Sequence, residues 1–134
     1  MNLTMDAGAL IAFLKREIGA DGVEALLLDE DNLCSVHALN MCEVYYDFYR
    51  EHGESGAEAA IDALLSTGIQ MREDMDRNLC REAGRLKANQ RRISLADCFC
   101  AALANKMGAE VVTADHHEFD ALAANAVCRV RFIR

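Results

Sequence analysis

Short apolar runs alternate with amphipathic stretches along this whole chain, and no tight hairpin signal joins any two of the runs. Leu3 to Asp6, Leu33 to Val36, Ile69 to Arg72, Glu110 to Thr113 and Cys128 to Ile133 have strand character. Between them, Ala7 to Ile18, Val23 to Leu28, Leu39 to Glu51, Ala57 to Leu65, Met75 to Asn89, Leu95 to Met107 and His117 to Ala123 have helical spacing. Stops fall at Gly19, Gly53, Ser66-Thr67-Gly68 and Gly108. Strands joined through helices pair in parallel, because a parallel partner needs a crossover. The expected fold is therefore α/β, a three-layer α/β/α sandwich around a mainly parallel sheet. Ligands of such sheets sit beyond the carboxyl ends of the strands, so the residues just after each strand are where chemistry is expected.

The 134 residues suit one domain, spanning 1–134. An apolar fraction of 52% excludes intrinsic disorder. No apolar run approaches ~18 residues, so no membrane span is expected. The start Met1-Asn2-Leu3-Thr4 lacks the basic opening and long apolar stretch of a signal peptide, so a cytoplasmic protein is expected. Cys34, Cys42, Cys80, Cys98, Cys100 and Cys128 form no C-x-x-C pair, and reduced, buried thiols are the expectation. The net charge of −8 argues on its face against nucleic acid as a partner. Its distribution modifies that: residues 1–71 carry 3 basic and 13 acidic side chains, residues 72–134 carry 11 and 9.

Four acids fall near strand ends. Asp6 closes the first strand, Asp115 follows Glu110 to Thr113, Glu43 lies early in the helix after Leu33 to Val36, and Asp97 lies in the first turn of the helix opening at Ser94. All four can face one end of the sheet. Converging carboxylates repel one another, and a hard divalent cation such as Mg²⁺ or Mn²⁺ relieves that repulsion. Each acid also has a plainer use. Asp6 and Asp115 suit helix N-caps, Ser94-Leu95-Ala96-Asp97 has capping-box spacing, and Glu43 suits a solvated helix face. Against this, Asp97 and Glu43 are each set among apolar neighbours.

Four segments carry a family resemblance. Met5-Asp6-Ala7-Gly8-Ala9-Leu10-Ile11 resembles the opening of PIN-domain ribonucleases. Ser35 to Tyr46, built around Glu43, is similar to their second motif, and Ile93 to Ala104, around Asp97, to their third. Val111-Val112-Thr113-Ala114-Asp115, followed by Phe119, is similar to the fourth. Order, spacing and length resemble the short VapC-type toxins of toxin–antitoxin pairs. The resemblance implies a PIN-like fold and an endoribonuclease dependent on Mg²⁺ or Mn²⁺. It implies that Asp6, Glu43, Asp97 and Asp115 hold the metal, that Thr113 orients a carboxylate or water beside them, and that a metal-activated water cleaves RNA to leave a 5′-phosphate and a 3′-hydroxyl. It also implies a VapB-type antitoxin and a homodimer as partners. Gly8 departs from the pattern, since many relatives have Ser, Thr or Asn there.

Arg77, Arg81 and Arg85 recur every fourth residue and form one stripe on a helix, with Lys87, Arg91 and Arg92 after them. The stripe suits an RNA-tracking face, or a solvated surface paired with Asp74, Asp76 and Glu82. His116 and His117 adjoin Asp115, and at most one is expected to point into the site. Tyr45, Tyr46, Phe48 and Tyr49 suit core or dimer packing rather than base stacking. Glu118 and Asp120 are near the site but are not assigned to it. Other classes fit less well. A phosphotransferase with an aspartyl nucleophile wants a second Asp where Gly8 stands, and a receiver domain wants an acid pair at Asp6 and a late, strand-end Lys. An RNA-processing PIN protein without an antitoxin, and a non-catalytic PIN scaffold, remain open alternatives.

Overall fold

The alternation is realised as a five-stranded, all-parallel sheet in a computed structural model that describes residues 1–134. The strands are β1 (Asn2–Met5), β2 (Leu33–His37), β3 (Gln70–Arg72), β4 (Glu110–Thr113) and β5 (Val130–Phe132). The helices are α1 (Ala7–Lys15), α2 (Ala20–Leu28), α3 (Ala38–Leu65), α4 (Arg77–Asn89), α5 (Leu95–Met107) and α6 (His116–Ala124). The sheet order is β3-β2-β1-β4-β5. Chain order reverses on either side of β1, so the crevice between the ends of β1 and β4 is the topological switch point.

Two cores flank the sheet, and β4 feeds both with alternate side chains, as the period of two requires. Val112 packs with Leu3, Met5 and Val36 against α1, α2 and α3. Its neighbour Val111 packs on the other face with α4, α5 and α6, through Leu79, Cys98, Phe119 and Leu122. The helix α5 is buried from Asp97 to Ala104, which explains its run of alanines and cysteines: small side chains let it lie close to the sheet. No helix is long and apolar enough to cross a membrane.

Several boundaries differ from expectation for identifiable reasons. The first helix ends at Lys15 rather than Ile18 because Arg16 turns left-handed, at φ 57°. The second starts at Ala20, and the fourth starts at Arg77 because Asp76 caps it, accepting from the Leu79 N–H at 2.8 Å. The expected pair of helices around Gly53 forms one interrupted element, and Gly53, at φ 71° and ψ −170°, makes the break. Two cysteines correct the expectation of buried thiols: Cys42 and Cys80 are exposed, while the other four are buried and all six are free. Tyr46 and Tyr49 are likewise about half exposed, at 48% and 51%, and so do not serve the core.

Candidate active site

Beyond the carboxyl ends of β1 and β4, one pocket is lined by Asp6, Glu43, Asp97, Asp115 and Glu118, with Gly8, Ile11 and Ser94 at its walls. It contains no basic side chain. The four acids read from the sequence are thus brought together, and a fifth joins them. One carboxylate oxygen from each of Asp97, Asp115 and Glu118 lies within 4.8 Å of the others. Two like charges at that separation repel by roughly 3 kcal/mol at an effective dielectric of about 20, a repulsion that a bound cation would relieve.

The plainer uses of these acids are real, and they coexist with the pocket. Asp6 caps α1 with Oδ1, which accepts from the Ala9 N–H at 2.8 Å. Its other oxygen, Oδ2, accepts from the Thr113 hydroxyl. Asp115 caps α6 with Oδ1, accepting from the Glu118 N–H at 3.0 Å. Ser94 caps α5, its Oγ accepting from the Asp97 N–H at 3.2 Å. In a full capping box the Asp97 carboxylate would return a bond to the Ser94 N–H. Here Glu118 Oε1 takes that N–H at 3.1 Å, which leaves the Asp97 carboxylate free to face the pocket.

Thr113, fully buried at the end of β4, links two of the acids. Its hydroxyl donates to Asp6 and accepts from the Asp115 N–H at 2.9 Å. Asn40 does similar work across the pocket. It is buried one turn before Glu43 on α3, and its Nδ2 donates to the Ala96 carbonyl at 3.1 Å, tying α3 to the start of α5 beside Asp97. His37, also buried, accepts from the Leu39 N–H at Nδ1 and therefore donates from Nε2 to the Asp74 carbonyl at 2.9 Å, fixing the start of α3.

Burial pushes the Asp6 carboxyl up to about 7, against the opposing pull of the Thr113 and Ala9 hydrogen bonds, and Asp115 and Glu118 add to the rise. Burial also raises Glu43, with Glu118 adding to it, and raises Glu118 despite the Ser94 N–H and nearby Lys87. Glu43 Oε1 is buried with no hydrogen-bond partner in the protein. An orphaned buried carboxylate oxygen, converging hard oxygen donors and a lining without a basic side chain together fit a hard divalent cation.

The remaining candidates lie outside this pocket. Arg77, Arg81 and Arg85 are exposed on α4; Arg85 pairs with Glu82 at 3.3 Å and borders a groove between α4 and α5. His116 is engaged elsewhere, its Nδ1 2.8 Å from Asp120 and its Nε2 2.8 Å from the Arg134 carbonyl, stacked on Phe132. Asp120, held by His116, is not among the residues lining the carboxylate pocket. Sequence reasoning left Glu118 unassigned and gave Asn40 no role. The signal for both was helical spacing: Asp115 with Glu118, and Asn40 with Glu43, are three residues apart and share a helix face.

The family model for the PIN domain matches residues 3–125. No curated protein matches the sequence. Among solved structures, a chain of VapBC2 from Rickettsia felis, bound to a DNA fragment from its promoter, superposes with TM-score 0.75 at 15% identity, covering 98% of each chain. VapBC-1 from nontypeable Haemophilus influenzae gives TM-score 0.73 at 19% identity, over 99% of this chain and 98% of that one. Mycobacterium tuberculosis VapC20, a sarcin–ricin loop cleaving toxin, gives 0.69 at 18%, over 89% and 94%. At these identities the likeness is one of fold.

Proposed function

We propose that this chain, which belongs to the PIN-domain family, is a metal-dependent endoribonuclease acting as the toxin of a toxin–antitoxin pair. The observation that carries the reading is the pocket of five carboxyls at the switch point of the sheet, with no base among them. Asp6, Glu43, Asp97 and Asp115 would hold Mg²⁺ or Mn²⁺, with Glu118 beside them. Bound there, the ion supplies a water of lowered pKa and offsets charge on the phosphodiester.

The chain's own residues do the rest. Thr113 holds the Asp6 carboxylate and, through its acceptor lone pair, the first turn of α6 that carries Asp115 and Glu118. Glu118 anchors Ser94 and so keeps Asp97 turned to the pocket. Asn40 sets the distance between the Glu43 and Asp97 helices. Glu43 Oε1, buried with no partner in the protein, is left to the ion as a hard oxygen donor. The likeness of fold to chains of VapBC complexes supports the toxin role with a VapB-type antitoxin as partner, and a second copy of the chain is the other partner of this reading.

The test is cleavage of labelled RNA in Mg²⁺, Mn²⁺ or EDTA by the purified protein and by Asp6→Asn and Asp97→Asn. Cleavage is expected only with a divalent ion and only in the unsubstituted protein. Cleavage that survives EDTA or either substitution contradicts the proposal. Co-expression with the product of a neighbouring short reading frame tests the toxin role: a stable complex that suppresses cleavage is expected, and its absence favours an RNA-processing nuclease.

A further inference from the structure

A second cleft shares Glu118 with the carboxylate pocket and has the opposite character. It is lined by Gln90, Arg91, Arg92, His117, Glu118 and Asp120, among others, between the α4–α5 loop and the first turns of α6. Its two acids are already engaged. Glu118 accepts the Ser94 N–H and Asp120 holds His116. Neither Arg91 nor Arg92 takes part in an ion pair, and both are exposed. The cleft therefore presents two guanidinium groups with no ion-pair partner directly beside a cluster of acids, on a molecule of net charge −8.

The loop that carries these arginines is fastened by its main chain. Lys87 Nζ donates to the carbonyls of Arg91 at 3.0 Å and Ile93 at 2.7 Å, and the Ile93 N–H closes a turn onto the Gln90 carbonyl at 3.2 Å. Glu118 then ties the end of the loop to α6. Lys87 and Glu118 are thus used to hold the loop, while Arg91 and Arg92 are held out from it. Such an arrangement suits planar, bidentate donors that meet phosphate oxygens.

We infer that Arg91 and Arg92, with His117 across the cleft, form the subsite for the RNA phosphodiester backbone flanking the scissile phosphate, rather than the Arg77, Arg81 and Arg85 stripe. The inference rests on the ribonuclease reading above. A polyanion approaching an acidic protein needs cationic donors where it docks, and this cleft holds two guanidinium groups free of ion pairs next to the reacting centre. The stripe borders neither the carboxylate pocket nor this cleft, apart from the shared loop end.

The test compares Arg91→Gln/Arg92→Gln with Arg77→Gln/Arg81→Gln/Arg85→Gln, each in an Asp97→Asn background that does not cleave. Binding of a short labelled single-stranded RNA is followed by anisotropy across a salt series. Two lost phosphate contacts lower the salt slope by about 1.4 and weaken binding about tenfold or more at ~0.1 M salt. The Mn²⁺-induced rise in melting temperature of the same double variant in the Asp97-containing protein is expected to match that of the unsubstituted protein, which separates RNA docking from damage to the pocket. Unchanged affinity and slope in the Arg91/Arg92 variant, or a loss confined to the stripe variant, overturns the subsite while leaving the nuclease intact. Failure of the Arg-bearing parent to bind RNA overturns both.

Discussion

Asp6→Asn should stabilise the metal-free protein while abolishing its response to metal, a pair of opposite effects that few substitutions give. The Asp6 carboxyl is buried and its pKa stands at about 7, against 3.8 for the free side chain. The folded state therefore holds this proton more tightly than the unfolded chain does. Its contribution to stability is fully present below about pH 4 and is lost as pH rises through about 7. The loss amounts to about 4 kcal/mol at most, taking 1.36 kcal/mol per pH unit. An asparagine has no charge to desolvate. Its Oδ1 can still accept from the Ala9 N–H, and its Nδ2 faces a Thr113 hydroxyl that has a lone pair to offer. Urea unfolding in EDTA should show the two proteins similar near pH 4 and the variant more stable at pH 8, by up to about 4 kcal/mol. Mn²⁺ at about a hundred times its Kd should restore about 3 kcal/mol to the unsubstituted protein and much less to the variant. A variant less stable than its parent at pH 8 in EDTA would refute the reasoning, since it would mean that Thr113 and Ala9 fully satisfy an ionised Asp6.

Thr113→Val should cost about 1–3 kcal/mol, because it strips a buried carboxylate and the Asp115 N–H of their shared partner, and should weaken Mn²⁺ binding about 10–100-fold; Thr113→Ser should retain most of both, as calorimetric titration with Mn²⁺ will read. Gly8→Ser should be tolerated and stabilising by about 0.5 kcal/mol in thermal unfolding, since a Cβ there meets only the Asp6 oxygens, at 3.6 and 3.9 Å, and a hydroxyl donor beside Asp6 should favour its charged form and tighten Mn²⁺ binding at pH 6. Apparent Mn²⁺ affinity should rise with pH through about 7 as Asp6 gives up its proton, with raised Glu43 and Glu118 contributing in the same direction, and titrations in buffers of different ionisation enthalpy should register proton release at pH 6 that fades by pH 8; pH-independent affinity across that range would count against Asp6 as a ligand.

Much of this architecture is legible in the residues themselves, for physical reasons that also mark where reading stops. The alternation of strands and helices dictates a parallel sheet, and strand ends dictate where Asp6 and Asp115 stand. Strand order is not encoded in any local pattern, so nothing short of the fold reveals that β1 and β4 are neighbours and that Asp6 and Asp115 meet across the switch point. Capping and metal binding compete as explanations for the acids but are compatible: a carboxylate has two oxygens, and Asp6 and Asp115 each use one to cap a helix. Glu118 escaped because its role depends on a contact with Ser94 from another part of the chain, although its spacing from Asp115 was a usable clue. The Arg77, Arg81 and Arg85 stripe stands out in the sequence ahead of Arg91 and Arg92, because periodicity is visible there and loop anchoring by Lys87 is not.

If these carboxylates organise an ion-dependent attack of water on an RNA phosphodiester, the ends of the cleaved RNA record it. End-group analysis of the cleavage products tests it most directly. Incubation with Mn²⁺ should yield fragments bearing a 5′-phosphate and a 3′-hydroxyl, with none formed in EDTA or by Asp97→Asn. Fragments ending in a 2′,3′-cyclic phosphate would mean that the ribose hydroxyl rather than water is the nucleophile, cleavage that persists in EDTA would mean that no ion is needed, and either would contradict the claim.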